Sequence, residues 1–147
     1  MSIRTDEIEL HKNKLKAFHF NATDCPDLFP PLVALASYCE GITVIEGTSR
    51  LTHKESNRAL TLQEEFGKMG VQIKLQGDLM LIEGRVQSKG GEVSSHNDHR
   101  IAMATAIAGL KADKEIIVRG AEAVNKSYPQ FWEHIKKLGA KVSLTDN

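Results

Sequence analysis

Four short polar clusters contain the residue types from which an anion site with its own acid and base is built. They are Asp24-Cys25-Pro26-Asp27, His53-Lys54-Glu55-Ser56-Asn57-Arg58, His96-Asn97-Asp98-His99-Arg100 and Asn125-Lys126-Ser127-Tyr128-Pro129. Each stands where a predicted strand or loop hands over to a predicted helix. Lys54, Arg58, Arg100 and Lys126 suit phosphate or carboxylate groups, because ammonium and guanidinium donors make short charge-assisted hydrogen bonds to oxyanions. Helix N-termini add unpaired N–H groups and a partial positive charge. Asp27 and Glu55 are then a candidate base and acid. Arg100 is the most telling of the set: a cation in the first turn opposes the helix dipole, so something negative must compensate it. Lys54 and Arg58, four residues apart, place like charges on one helix face, an arrangement that is unfavourable unless an anion sits between them. Glu55 beside them is placed either to screen the pair or to move a proton.

A plainer reading accompanies each cluster. Asp27 and Asp98 also fit helix N-caps or first-turn acids, and Lys54 to Arg58 also fits a solvated helix face. A zinc site from His96, Asp98 and His99 is disfavoured, since adjacent ligands project in different directions and a third, spaced ligand is not evident. His99 reads better as a hydrogen-bonding neighbour of the anion site. The run AMATAIAGL after Ile101 is a face for close helix packing, and Trp132 in QFWEHIKKLG is an anchor between a helix and the core.

The elements that must position these groups follow from hydrophobic period. KLKAFHF (14–20) alternates as a strand, Asp27 to Tyr38 reads as a helix entered through prolines, and ITVIEG (42–47) is a β-branched strand. An amphipathic helix is predicted from about Lys54 to Met69, with Leu60, Leu62, Phe66 and Met69 apolar and Gly70 ending it. VQIKL and LMLIEG flank Gln76-Gly77-Asp78 as a hairpin. The order then starts again: a helix from Asp98 to Leu110, a strand EIIVRG (115–120), a helix from about Ser127 to Leu138 and a strand AKVSL (140–144). KMGVQIKL and KLGAKVSL match at an offset of about 70 residues, which is too long for a solenoid and predicts two copies of one βαβαββ unit. The expected fold is therefore α/β (α+β), with unit one at about 14–84 and unit two at about 90–147, the second stopping before its last strand.

Composition narrows the class. With 147 residues, 41% of them apolar, the chain can bury one core or two small ones. Lys+Arg and Asp+Glu balance at 19 each, so bulk charge does not advertise nucleic acid or an acidic membrane surface, and any anion site must be local. Cys25 and Cys39 lack a CxxC pattern and read as reduced thiols. The apolar runs are too short to span a bilayer and MSIRTDEIELHKNK is charged, unlike a signal sequence, so a cytoplasmic protein without membrane partners is expected.

PDLFPPLVALA (26–36), HKESNRA (53–59), SHNDHRIAMA (95–104) and KSYPQF (126–131) also carry a resemblance. From about Lys14 onward the chain resembles the C-terminal part of the EPSP synthase (3-phosphoshikimate 1-carboxyvinyltransferase) family. That resemblance implies two domains of three βαβαββ units each, with the active site in the cleft between them; about two units are present here. It implies transfer of the enolpyruvyl group of phosphoenolpyruvate to the 5-hydroxyl of shikimate 3-phosphate by addition and elimination, without metal or organic cofactor. By the same resemblance Asp27 contacts the shikimate hydroxyls and accepts the proton, Glu55 handles the proton at the phosphoenolpyruvate methylene, and Lys54 binds shikimate 3-phosphate. Arg58, Arg100 and Lys126 would clamp phosphoenolpyruvate, with His99 close by, and glyphosate would meet the same cations. Asn57 stands where many relatives have Asp, and the family's substrate-binding residues from its other domain have no counterpart in this sequence. The isolated chain is thus expected to lack turnover and, lacking one unit, to self-associate. Alternatives are a related nucleotide-sugar enolpyruvyl transferase, against which KES-x-R and NDHR argue, and a non-catalytic anion-binding module.

Overall fold

The computed structural model describes residues 2–11, 13–52, 57–84 and 88–144. A two-residue antiparallel ladder comes first, β1 (Ser2–Ile3) with β2 (Ile8–Glu9). Then follow β3 (His19–Asn21), α1 (Phe29–Ala36), β4 (Ile42–Glu46), α2 (Arg58–Lys68), β5 (Gln72–Gln76) and β6 (Leu79–Glu83). These strands make one sheet in the order β3-β4-β6-β5, with β3 and β4 parallel through α1 and β5-β6 a hairpin. The order of elements repeats in β7 (Gly91–Ser94), α3 (His99–Gly109), β8 (Ile116–Arg119) and α4 (Phe131–Lys137), with β7 and β8 parallel through α3.

Local sequence accounts for these elements. Pro30 and Pro31 sit in the first turn of α1, where their missing N–H groups have no intrahelical acceptor to lose. α2 and α4 end identically. Gly70 (φ 84°) and Gly139 (φ 99°) adopt the left-handed conformation. The N–H of the residue after each glycine returns to the third-last carbonyl of its helix, Val71 to Phe66 at 2.9 Å and Ala140 to Ile135 at 3.0 Å. The two glycine stops that matched in sequence are the same physical device.

One apolar cluster joins both halves: Phe29 and Val33 of α1, Ile45 of β4, Leu62 and Phe66 of α2, and Ile101 of α3, all without exposed surface. The alanines of α3 let it lie close to α1, and Tyr38 donates its hydroxyl to the Ala108 carbonyl across that contact. A smaller cluster of Ala102, Val124, Phe131 and Ile135 receives Trp132, whose indole N–H donates to the Ala121 carbonyl at 3.2 Å, as an anchor should.

Several expectations need correction. The first strand is confined to His19–Asn21, with Lys16 making an isolated bridge to Glu40. Pro26–Leu28 form a 3-10 turn before α1, and Ala121–Lys126 form another, so α4 begins at Phe131 and not near Ser127. Leu60 is exposed, and Ala59 takes its place on the buried face of α2. Residues 140–144 pair with no strand among the described residues, and β7 was not anticipated. The predicted start of α2 at 54–56 lies outside the described residues.

Candidate active site

α2 and α3 each begin with a guanidinium in the first turn, Arg58 and Arg100. Both oppose their helix dipoles, and one carboxylate answers both. Asp27, inside the 3-10 turn that precedes α1, accepts from Arg58 Nη1 at 2.9 Å through Oδ1 and from Arg100 Nη2 at 3.0 Å through Oδ2. Asp98 forms the floor of this arrangement. Its Oδ2 accepts from Arg58 Nε at 2.8 Å, while its Oδ1 caps α3 by accepting from the Arg100 N–H at 2.9 Å.

Burial divides the four charges into an inner and an outer pair. The Arg58 and Asp98 side chains are both 0% exposed, whereas Asp27 is 49% and Arg100 35% exposed. Removing one member of an enclosed ion pair strands the other and is strongly destabilising, but a half-exposed pair contributes little and can change partner. Arg58 is therefore fixed, and a ligand would reach its guanidinium by displacing Asp27. Arg100 is the cation able to turn to a ligand.

Lys126 joins the same loop from the other side. It ends the 3-10 turn Ala121–Lys126, and its Nζ donates to the Asn97 carbonyl at 2.6 Å. His99, the first residue of α3, is 8% exposed, and its Nδ1 is the buried side-chain polar atom that lacks a partner among the described residues. The structure thus brings Asp27, Arg58 and Arg100 into direct contact, with Lys126 and His99 anchored on the adjoining loop and helix start. Lys54 and Glu55 lie outside the described residues.

The two readings left open for the aspartates now separate. Asp98 is an N-cap, and it is also the partner of Arg58. Asp27 is the first-turn acid of the 3-10 segment and not its N-cap: the residue in that position is Cys25, which makes no side-chain cap. The zinc triple does not assemble. His96 Nε2 meets Glu65 at 2.7 Å and Asp98 is turned to Arg58. The described residues that come within metal-binding distance of one another are Glu64, Glu65 and His96, and Lys68 bridges both glutamates at 3.2 and 2.8 Å.

The matches to known proteins fall on this framework. The sequence model of the EPSP synthase family (3-phosphoshikimate 1-carboxyvinyltransferase) matches residues 2–135. The chain belongs to the EPSP synthase family. The 3-phosphoshikimate 1-carboxyvinyltransferase of Clostridium acetobutylicum is 47% identical over 122 residues, covering 83% of this chain and 28% of the relative. That of Clostridium novyi is 42% identical over 139 residues, covering 95% and 32%. The structure of EPSP synthase from Acinetobacter baumannii superposes with a TM-score of 0.82 at 34% identity, over 90% of this chain and 32% of that one. The fold is that of the enolpyruvyl transferases, and the chain spans about 30% of the length of these EPSP synthases. No helix among the described residues is long and apolar enough to cross a membrane, and Cys25 and Cys39 are free thiols.

Asp98 is the site residue that sequence reasoning undervalued. Its position before His99-Arg100 gave the cap, but its contact with Arg58, 40 residues away, is visible only in the fold.

Proposed function

We propose that this chain forms one wall of an EPSP synthase active site, in which phosphoenolpyruvate is held by Arg100 and Lys126 and shikimate 3-phosphate approaches Asp27. The observation that carries this reading is the Asp27 carboxylate bridging Arg58 and Arg100 from two helix starts. The two guanidiniums fix this carboxylate where a sugar-like hydroxyl can approach it, and Arg100 offers an adjacent cation for the anionic partner. Arg58 acts mainly through Asp27, aligning it, and meets a ligand only where Asp27 yields. Lys54 would bind the shikimate phosphate and Glu55 would handle the proton at the methylene carbon. His99, whose buried Nδ1 has no partner among the described residues, supplies a further polar contact. In this reading the protein works in the cytoplasm, in the shikimate route to aromatic amino acids, and the other wall of the cleft comes from outside these 147 residues.

Isothermal titration with phosphoenolpyruvate tests the site. Heat is expected with the wild-type chain and none with Arg100→Ala; no heat with either would replace the reading by a non-catalytic module. With both substrates present the isolated chain should show no turnover, and normal steady-state activity from it would contradict the half-site. The α1–α3 face bears a groove of about 500 Å³ lined by Leu15, Leu35, Tyr38, Met103, Ile107 and Leu110. Leu35, Ile107 and Leu110 are exposed, so self-association through this face is expected, and a clean monomer by sedimentation at high concentration would refute it.

A further inference from the structure

Glu65 stands on the interior face of α2 with no exposed surface, seven residues after Arg58 and thus on the same side of the helix. An ionised carboxylate is tolerated there only if its oxygens are fully engaged. Oε1 accepts from Lys68 Nζ at 2.8 Å and faces His96 Nε2 at 2.7 Å, and Oε2 accepts from the Ser94 N–H at 2.8 Å. Burial alone would raise the Glu65 carboxyl, but the Lys68 ammonium, the Ser94 N–H and His96 together hold it below the ordinary carboxylate value. Two of those three donors, Ser94 at the end of β7 and His96 just beyond it, belong to the segment that leads into α3.

That loop has an unusual backbone. His96 (φ 49°) and Asn97 (φ 59°) are consecutive left-handed residues, and neither is glycine. Histidine and asparagine tolerate this region better than most, yet such a pair persists only where the surroundings hold it. The Ser94 and Ser95 hydroxyl oxygens accept the His96 and Asn97 N–H groups at 3.1 Å, which shapes the turn internally. Besides the Ser95 N–H donated to the Arg119 carbonyl at 2.9 Å and the Lys126 contact to Asn97, α2 grips the turn at both ends: Glu65 holds Ser94 and His96, and Arg58 holds Asp98.

We propose that Glu65 is a positioning residue of the anion site, fixing the 94–97 loop in the shape that offers the Asn97 carbonyl to Lys126 and sets Asp98 beneath Arg58 and Arg100. This rests on the anion-site reading above. Glu65 touches no ligand; it sets where Lys126 and the start of α3 stand.

The test compares Glu65→Gln with Leu62→Ala, a fully buried apolar position on the same helix that serves as a control for general loss of stability. In the wild-type chain and both variants, the loop amides and the Lys126 ammonium are followed by NMR, and phosphoenolpyruvate affinity by titration. Glu65→Gln should move the 95–98 amide resonances, release Lys126 from Asn97 and weaken phosphoenolpyruvate binding about tenfold, as small misplacements of binding groups do. Leu62→Ala should lower Tm yet leave Lys126 and the loop resonances in place. His96→Ala, which removes one tether without touching α2, should give an intermediate shift and keeps the question answerable if Glu65→Gln does not fold. Loss of Tm in Glu65→Gln with Lys126 and the loop unmoved would overturn the proposal, as would an unmoved Lys126 in His96→Ala should Glu65→Gln not fold. Movement of the loop and Lys126 in a series where even the wild-type chain takes no phosphoenolpyruvate would uphold the positioning role and refute the ligand reading instead.

Discussion

The halves of this chain use one order of elements to different ends. In the first, β4 is paired on both sides, by β3 and β6, and the hairpin β5-β6 completes a four-stranded sheet under α1 and α2. In the second, β8 pairs with β7 alone among the described residues, and 140–144 follow α4 without joining a ladder. Within the second half, beside β8 and α4, lies a cleft of about 720 Å³ lined by residues that include Ile116, Val118, Trp132 and Leu144. Both halves nevertheless deliver a guanidinium at a helix start. Presenting Arg58 and Arg100 depends on the contact between α2 and α3 and on Asp27 and Asp98; it does not need the second sheet to be complete.

The largest effect should come from breaking the link between the halves. Arg58→Ala leaves the Asp98 carboxylate enclosed without its guanidinium and should lower unfolding free energy by about 3–5 kcal/mol in urea denaturation. Arg58→Lys should recover only part, since an ammonium cannot reproduce the fork that meets two carboxylates. A loss under 1 kcal/mol in Arg58→Ala would show that the Arg58–Asp98 pair adds little to the link between the halves.

Next come paired core deletions. Phe66→Ala removes a ring from the large cluster of the first half and should destabilise by about 3–5 kcal/mol. Phe131→Ala, in the smaller cluster of the second half, should fall at or below the low end of that range, because the site can relax towards the adjoining cleft. Equal losses would mean that the second half is as tightly held as the first.

The smallest effect concerns acid. Because the folded-state value of Glu65 lies below its unfolded value, its contribution is fully present above the unfolded carboxylate range of about 4.3 and is lost as pH falls through the folded value. Wild type should lose stability below about pH 4 more steeply than Glu65→Gln, measured by urea midpoints from pH 7 to 3. Parallel curves for the two would show that Glu65 gains nothing from Lys68, Ser94 and His96.

Much of this architecture was legible because it is written in local terms. β-Branched residues marked β4, turn chemistry between β-rich runs marked the β5-β6 hairpin, prolines marked the entry to α1, and glycines marked both helix ends. β7 escaped because Gly91-Glu92-Val93-Ser94 carries a single inward apolar residue, Val93, and is a strand by virtue of its pairing with β8. Residues 140–144 erred the other way, since alternation reports a face and not a partner. At the site, the argument from the helix dipole correctly required an anion for Arg100. It could not say that the anion is the protein's own Asp27, because that contact spans 73 residues of sequence. Glu65 was passed over for the same reason, as a glutamate in an amphipathic helix looks solvated until the loop that covers it is known.

Asp27 gives the outer part of the site a counter-ion that never diffuses away. In the proposed site an incoming carboxylate or phosphate would exchange with a tethered group in place of mobile salt ions, so its affinity should vary little with ionic strength. On the reading proposed above, the site is loaded with a surrogate ligand from the moment the chain folds, and selectivity would lie in which anions can take its place on Arg100.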